Sequence, residues 1–425
     1  MLPQPAEPAT QVVNAPLFTR QFWLACAMHF SGAMGTSLFI LFPLFVRSLG
    51  GSELTIGVYA GVGGAAAVAA RFPVGRLLDS QGRRRVLAAA GLMQVTSWLG
   101  FLLVGSLGAW SVLCVALNGA AGGSLFAAYF TYASDIIPAT RRSQGFAWFG
   151  TWGMLPNGLG PLLGELLISR SGFAAYFMVA AACSTISLGF SRLLPEAHAV
   201  GHLDAPEGIA HQRALPVRRL LALLSITFVF GAATNSLFTF LAPFAHTHGQ
   251  GTVGSFFMSY ALAAVTVRVL TGHLPDRIGL RRVLVPAFVG YAVGLLLIVR
   301  VDSRLALIAV GALCGAGHGY AFPILSVLVV ERVSAVQRGR AVSWFTAMFD
   351  LGNTLANPLL GALAEWASYR VMFSTSGLCM LALAALVSRT RQIPAGPRSH
   401  GRKVPQGESQ QQVHHNGSEV SGGEP

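Results

Sequence analysis

The chain is 425 residues long, 53% hydrophobic and 11% charged, with a formal net charge of +13 and a mean hydropathy of +0.59. Soluble domains carry about 25% charged residues, and one soluble core could not hide this much apolar surface, so a soluble protein is excluded. The basic residues are arginines in short loops between apolar runs, without the basic stripe interleaved with aromatics that nucleic-acid binding needs, so a nucleic-acid partner is excluded as well.

Residues 1–20 form a proline-rich N-terminal tail with one acid, Glu7, and no basic residue before Arg20; no cleaved signal peptide is evident. A helix rising about 1.5 Å per residue crosses about 30 Å of hydrocarbon in roughly 20 residues. Apolar runs of that length predict twelve transmembrane helices, near 21–46, 54–73, 85–107, 109–134, 144–168, 173–194, 218–245, 252–271, 282–300, 304–330, 341–363 and 370–388. The fold class is therefore an all-α integral membrane protein. The polar stretch 195–217 separates a six-helix bundle at 21–194 from another at 218–390, and a low-complexity polar tail fills 391–425.

Arginines crowd the loops after even-numbered helices, from Arg76 and Arg83–Arg85 to Arg332, Arg338 and Arg340. The positive-inside rule then places both termini in the cytoplasm, at the cytoplasmic (inner) membrane of a cell. The five cysteines fall inside apolar runs as small buried hydrophobes, with no CxxC pair. No phosphate-binding loop, metal-ligand cluster or nucleophile elbow stands out, so neither an enzyme nor a cofactor or metal is expected.

Two thirteen-residue segments repeat at a shift of 197: "GRLLDSQGRRRVL" (Gly75 to Leu87) and "GHLPDRIGLRRVL" (Gly272 to Leu284). "RRSQGFAWF" at Arg141 answers "QRGRAVSWF" at Gln337, and "GPLLGEL" at Gly160 answers "NPLLGAL" at Asn357. Such internal repeats mark secondary transporters, which hold substrate between their halves near the midplane. Gly75 and Gly82 are expected to turn the chain sharply between helices 2 and 3. Asp79 is placed to cap helix 3 or to face the positive N-terminus of another helix.

These segments give the chain its resemblance to the major facilitator superfamily, over roughly residues 20 to 390. The family pattern G-x-L-x-D-x-x-G-R-R-x-x-L is met by Gly75, Leu77, Asp79, Gly82, Arg83, Arg84 and Leu87. A degraded copy keeps Gly272, Asp276, Gly279, Arg281 and Arg282. The resemblance implies two pseudo-symmetric bundles, and a loop that latches their cytoplasmic ends in the outward-facing state. In helix 5, Gly160, Pro161 and Gly164 resemble the signature of the superfamily's proton-linked drug exporters, although Pro156 and Glu165 stand where glycines are usual. Those exporters also carry an arginine in helix 4, where this chain has Asn118.

If protons are coupled, another group must titrate. Asp350 in helix 11 is the leading candidate, about 14 Å deep at 1.5 Å per residue, where an acid is a functional-site hypothesis by default. His318 in helix 10 and His29 in helix 1 are further candidates to carry a proton or touch substrate. Arg71 and Arg268, which repeat at 197, read as snorkelling to the interface. By resemblance, helices 1, 4, 7 and 10 with parts of 2, 5, 8 and 11 line a cavity containing Asn118, Asn157, Asn235, Tyr260 and Asn353. Phe126, Trp152, Phe238 and Phe322 fit an amphipathic or aromatic cargo. The leading reading is a monomeric, proton-coupled exporter of a small organic molecule. A proton-coupled importer, and a transporter-like receptor or scaffold that moves nothing, remain as alternatives.

Overall fold

A computed structural model describes residues 16–196, 217–248, 252–333 and 337–390. Most of the N-terminal tail, residues 197–216 of the central loop and the tail from 391 therefore lie outside the described residues. The twelve expected crossings are all helical. They are α1 (Arg20–Ser48), α2 (Glu53–Gln81), α3 (Arg83–Phe101), α4 (Ala109–Ile136), α5 (142–171), α6 (173–193), α7 (Val217–His248), α8 (Val253–Thr271), α9 (Leu280–Ile298), α10 (Arg304–Val330), α11 (Arg338–Trp366) and α12 (Tyr369–Arg389). A single helical turn, Leu274–Ile278, joins α8 to α9.

Hydropathy and length alone account for ten of these helices, in nine continuous spans among the described residues, because Gln144–Leu193 holds both α5 and α6 across a break at Gly172 (φ 75°). The two that fall short are α3, which opens on Arg83–Arg85, and α11, which carries Asp350, Asn353, Asn357 and Glu365. Polar groups at membrane depth are tolerated only where they face protein or a water-filled cavity. The polarity of α11 thus marks a helix turned towards the interior.

Within the first bundle α1 packs on α5 and α6, and α4 packs between α2 and α3; the second bundle repeats the plan with α7 on α11 and α12, and α10 between α8 and α9. The halves meet along two seams, α2 against α11 and α5 against α8. Lipid tails are as apolar as leucine, so helix association relies on close contact between small residues. Gly57 and Gly361 bring the α2 and α11 backbones together, and a Cβ on Gly158 would meet Met258 Cα of α8 at 2.9 Å.

At the end opposite the arginine-rich loops, both seams are pinned by a carboxylate on a helix N-terminus of the other bundle. The Val253 and Gly254 amides opening α8 donate to the Glu165 carboxylate of α5 at 2.6 and 2.9 Å. The Leu54 amide opening α2 donates to Glu365 Oε2 of α11 at 2.8 Å. Arg47 pairs with Glu53 at 3.2 Å, and the Tyr369 hydroxyl donates to Glu53 across the bundles at 3.3 Å. The helix dipole favours such anions.

The repeated segments differ from their expected shape. Helix α2 runs on to Gln81, so Gly75 lies inside it; Gly272 likewise keeps helical dihedrals (φ −60°) at the end of α8. Only Gly82 (φ 89°) and Gly279 (φ 104°) turn the chain, in the left-handed region that glycine alone enters without strain. Each ends one helix and starts the next.

Candidate functional site

Two adjoining cavities, of about 360 and 320 Å³, lie between the bundles and share Thr36, Gly122, Asn157 and Phe238 on their walls. Both fall in the size range of small-molecule sites. Their walls come from α1, α2, α4, α5, α7, α8, α10 and α11, the set the family resemblance implies.

The first cavity gathers Asn118, Asn157, Asn235, Asp350 and Asn353. Asp350 does not stand alone there: Arg71 of α2 forms an ion pair with it across the α2–α11 seam. The same guanidinium lies 5.6 Å from the centroid of the Phe126 ring. Arg71 therefore points inward, correcting the expectation that it snorkels; a partner 279 positions away in sequence holds it. The Asn235 amide donates to Asn357 Oδ1, and Thr354 Oγ1 donates to the Asp350 carbonyl at 2.7 Å. Asn118 Nδ2 and Asn353 Oδ1 are buried without a partner among the described residues. A buried unpaired amide is costly, so these two atoms are placed to meet water or a ligand.

The second cavity, beside the first, gathers His29, His318, Tyr260, Arg268, Phe126, Phe322 and Asn157. His29 stacks on Phe149 with centroids 4.5 Å apart, and its Nδ1 lies 3.2 Å from the Phe149 carbonyl oxygen. His318 is hydrogen-bonded to the Tyr260 hydroxyl. Arg268 Nε donates to the Gly319 carbonyl at 3.3 Å, so it too faces inward and not to the interface. Trp152 is absent from both walls; its ring packs edge-on against Trp23 and Phe30.

In the helix-5 motif, Gly160 and Gly164 lie against Ser37 and Leu41 of α1, where a Cβ would meet Ser37 Cβ at 2.9 Å and Leu41 Cδ1 at 2.7 Å. Pro161 sits inside the helix between them. Glu165, the departure from the motif, is the carboxylate that pins α8.

In the first repeated segment Arg83, not Asp79, is the buried member. Arg83 Nε donates to Asp135 of α4 at 2.8 Å and its Nη1 to the Leu78 carbonyl at 2.7 Å. Asp79 is 80% exposed and 3.6 Å from Arg83, so it neither caps α3 nor faces another helix terminus in this state. Glu196 takes the capping place, accepting from the Arg84 amide at 3.2 Å. In the second segment Leu280 replaces the buried arginine. There Asp276 sits in the helical turn after α8, Arg281 donates to the Thr390 carbonyl at 3.3 Å, and Arg282 to the Ile278 carbonyl at 3.5 Å.

The sequence profile of the Major Facilitator Superfamily matches residues 24–251 and, overlapping them, 223–417. The chain belongs to this superfamily. It is an integral membrane transporter, and a small molecule is its cargo. An uncharacterised MFS-type transporter of Salmonella typhimurium is 28% identical over 82% of this chain and 90% of its own length. The multidrug resistance protein MdtG of a Rahnella strain is 27% identical over 84% of this chain and 90% of its own. Among solved structures, the nucleoside transporter NupG superposes with a TM-score of 0.72 at 16% identity, covering 87% of this chain and 98% of that one. That likeness speaks for the shared MFS fold alone.

Proposed function

We propose that this MFS protein is a monomeric, proton-coupled exporter of small organic molecules in the cytoplasmic (inner) membrane, with both termini in the cytoplasm. The arginine bias puts the repeated segments inside. The pinned end is then the outer one, and both cavities belong to an inward-facing state. The helix-5 residues Gly160, Pro161 and Gly164, and the multidrug resistance name of the MdtG relatives, favour export. The units are a bundle over 21–194 and one over 218–390, joined by 195–217.

The observation that carries proton coupling is the Arg71–Asp350 ion pair on the cavity wall. It joins α2 to α11 across a seam that must open for outward access. A proton on Asp350 removes the negative charge, releases Arg71 and loosens that seam. Protonation and conformational change thereby become linked, as an exchanger requires. In the outward-facing state Asp79, exposed here, would serve as the latch between cytoplasmic ends.

Inside-out vesicles with an imposed pH gradient and a panel of organic substrates test this reading. Wild type accumulates substrate when the lumen is acid, Asp350→Asn loses the pH dependence, and Asp350→Glu regains part of it. Undiminished pH-driven accumulation by Asp350→Asn removes the coupling assignment. An unchanged inward/outward balance in Asp79→Asn removes the latch.

A further inference from the structure

The two halves of the chain are written on one plan, and one charge in that plan is missing. Arg71 of α2 and Arg268 of α8 correspond at a shift of 197. "WFTAMFD" of α11 corresponds to "WFGTWGM" of α5 at a shift of 196, which sets Asp350 opposite Met154. Across the α2–α11 seam the arginine meets the aspartate. Across the equivalent α5–α8 seam, Arg268 and Met154 both line the second cavity, and the acid is not there. Among the described residues no carboxylate pairs with Arg268; its one described hydrogen bond is to the Gly319 carbonyl. The other titratable side chains on that wall are His29, His318, Tyr129 and Tyr260, none of them anionic in its ordinary state near neutrality.

An enclosed guanidinium without a counter-charge is costly unless an anion meets it. From this we propose that the cargo supplies the missing carboxylate: the protein carries amphipathic organic monoanions, with the anionic head on Arg268. The inference rests on reading the two cavities as the substrate site and deepens it by naming the charge class. Rings surround the head position, with Phe126, Phe130, Phe238 and Phe322 on the wall, so the body of the ligand is apolar and suited to aromatic groups. The adjoining 360 Å³ cavity gives that body room beyond the head. Arg71 is already neutralised by Asp350, which leaves one cation to match and selects a single negative charge. Seated there, the ligand completes on the α5–α8 seam the pair that Asp350 and Arg71 form on the other.

The test is equilibrium binding to the purified full chain in lipid nanodiscs, with three aromatic sets as probes: benzoate, 2-naphthoate and 9-anthroate, each beside its neutral amide and its aminomethyl cation. A charge-assisted contact predicts that a carboxylate binds about ten- to a hundredfold more tightly than its amide. Arg268→Gln abolishes that ratio, Arg268→Lys keeps part of it, and Met154→Asp, which restores the absent acid, suppresses the carboxylate while sparing the amide. The ratio is read within one sample, so a partly unfolded variant lowers both values and leaves it unchanged. Amides or cations binding wild type as well as carboxylates do, or a preference surviving Arg268→Gln, overturns the proposal while leaving the cavities as the site. Binding by no member of any charge overturns the site reading and this proposal together.

Discussion

The end pinned by carboxylates, opposite the arginine-rich loops, gives the sharpest quantitative expectation. Glu165→Gln keeps the shape of the side chain and one oxygen acceptor, but removes the charge that receives the Val253 and Gly254 amides at 2.6 and 2.9 Å. The new amide nitrogen would face a backbone N–H, so one bond is lost and the other becomes neutral. Hydrogen bonds to charged groups contribute about 1.5–3 kcal/mol each against about 1 for neutral ones, and the anion's interaction with the α8 dipole adds some tenths. A loss of roughly 2–5 kcal/mol from the closed state follows, a factor of about 30 to several thousand in the equilibrium. If the closed state leads by about 2 kcal/mol, the open fraction rises from about 3% to about half at the lower bound. Spin labels at Leu103→Cys and Leu305→Cys would read it, since both side chains are about three-quarters exposed at the ends of opposite bundles away from the arginine-rich loops. The exposed thiol of Cys379 must first be removed. Double electron–electron resonance should show a longer-distance population that grows in Glu165→Gln, and grows further, by a smaller step, when Glu365→Gln is added. The two carboxylates share no partner, so their effects should add. An unchanged distance distribution would mean that helix packing, not the carboxylate caps, holds this end shut.

Asp135→Asn leaves Arg83 buried without its anion, and breaking such a pair costs about 3–5 kcal/mol; a large fall in thermal midpoint in detergent should follow, mostly recovered in Arg83→Leu with Asp135→Asn, and an unmoved midpoint would count against the pair. The two glycines of the first segment should separate: Gly82→Ala, at φ 89°, loses about 1–2 kcal/mol, whereas Gly75→Ala, inside a helix with open space beside it, gains up to about 1 kcal/mol. Equal midpoints for those two variants would refute the assignment of the turn. Asn118→Ala and Asn353→Ala remove amides that have a buried atom without a protein partner, so stability should change by less than about 1 kcal/mol while substrate affinity falls; a thermal loss as large as that of Asp135→Asn would show instead that they are structural.

Ten of the twelve crossings were legible because apolar run length is a one-dimensional property; α3 and α11, which fall short in hydropathy, were legible from the polar loops that bound them. The cavity candidates were legible because polar residues inside apolar runs must face inward, and the seven named asparagine, histidine and aspartate positions do fall on the two walls. What the sequence withheld were pairings between distant helices. Arg71 near the end of α2 resembles any snorkelling arginine until α2 is known to cross α11 beside Asp350. Gly75 misled for a local reason: it stands in a motif with turn residues, but Leu78 four positions into the pattern is buried and carries the helix onward to Gln81. Trp152 misled because an aromatic beside a cavity can turn either way, and the Trp23 ring offered it an edge. The Glu196 cap lies at the start of the long polar stretch, where nothing in the local pattern ties it to α3.

The duplication itself carried a signal that neither half shows alone. Where both copies need the same backbone, they have kept the same residue: Gly82 and Gly279 hold positive φ at equivalent turns. Charges follow a different rule. Where the first segment buries Arg83, the second buries Leu280, which needs no charged partner. Where the second half has Asp350 the first has Met154, while both halves carry the arginine, Arg71 and Arg268. Removing one member of a buried ion pair is strongly destabilising when nothing replaces it, so an arginine on that wall without a protein acid calls for another counter-charge or for water. A guanidinium on a cavity wall that holds methionine where the other half has its aspartate is the asymmetry on which the anion proposal rests.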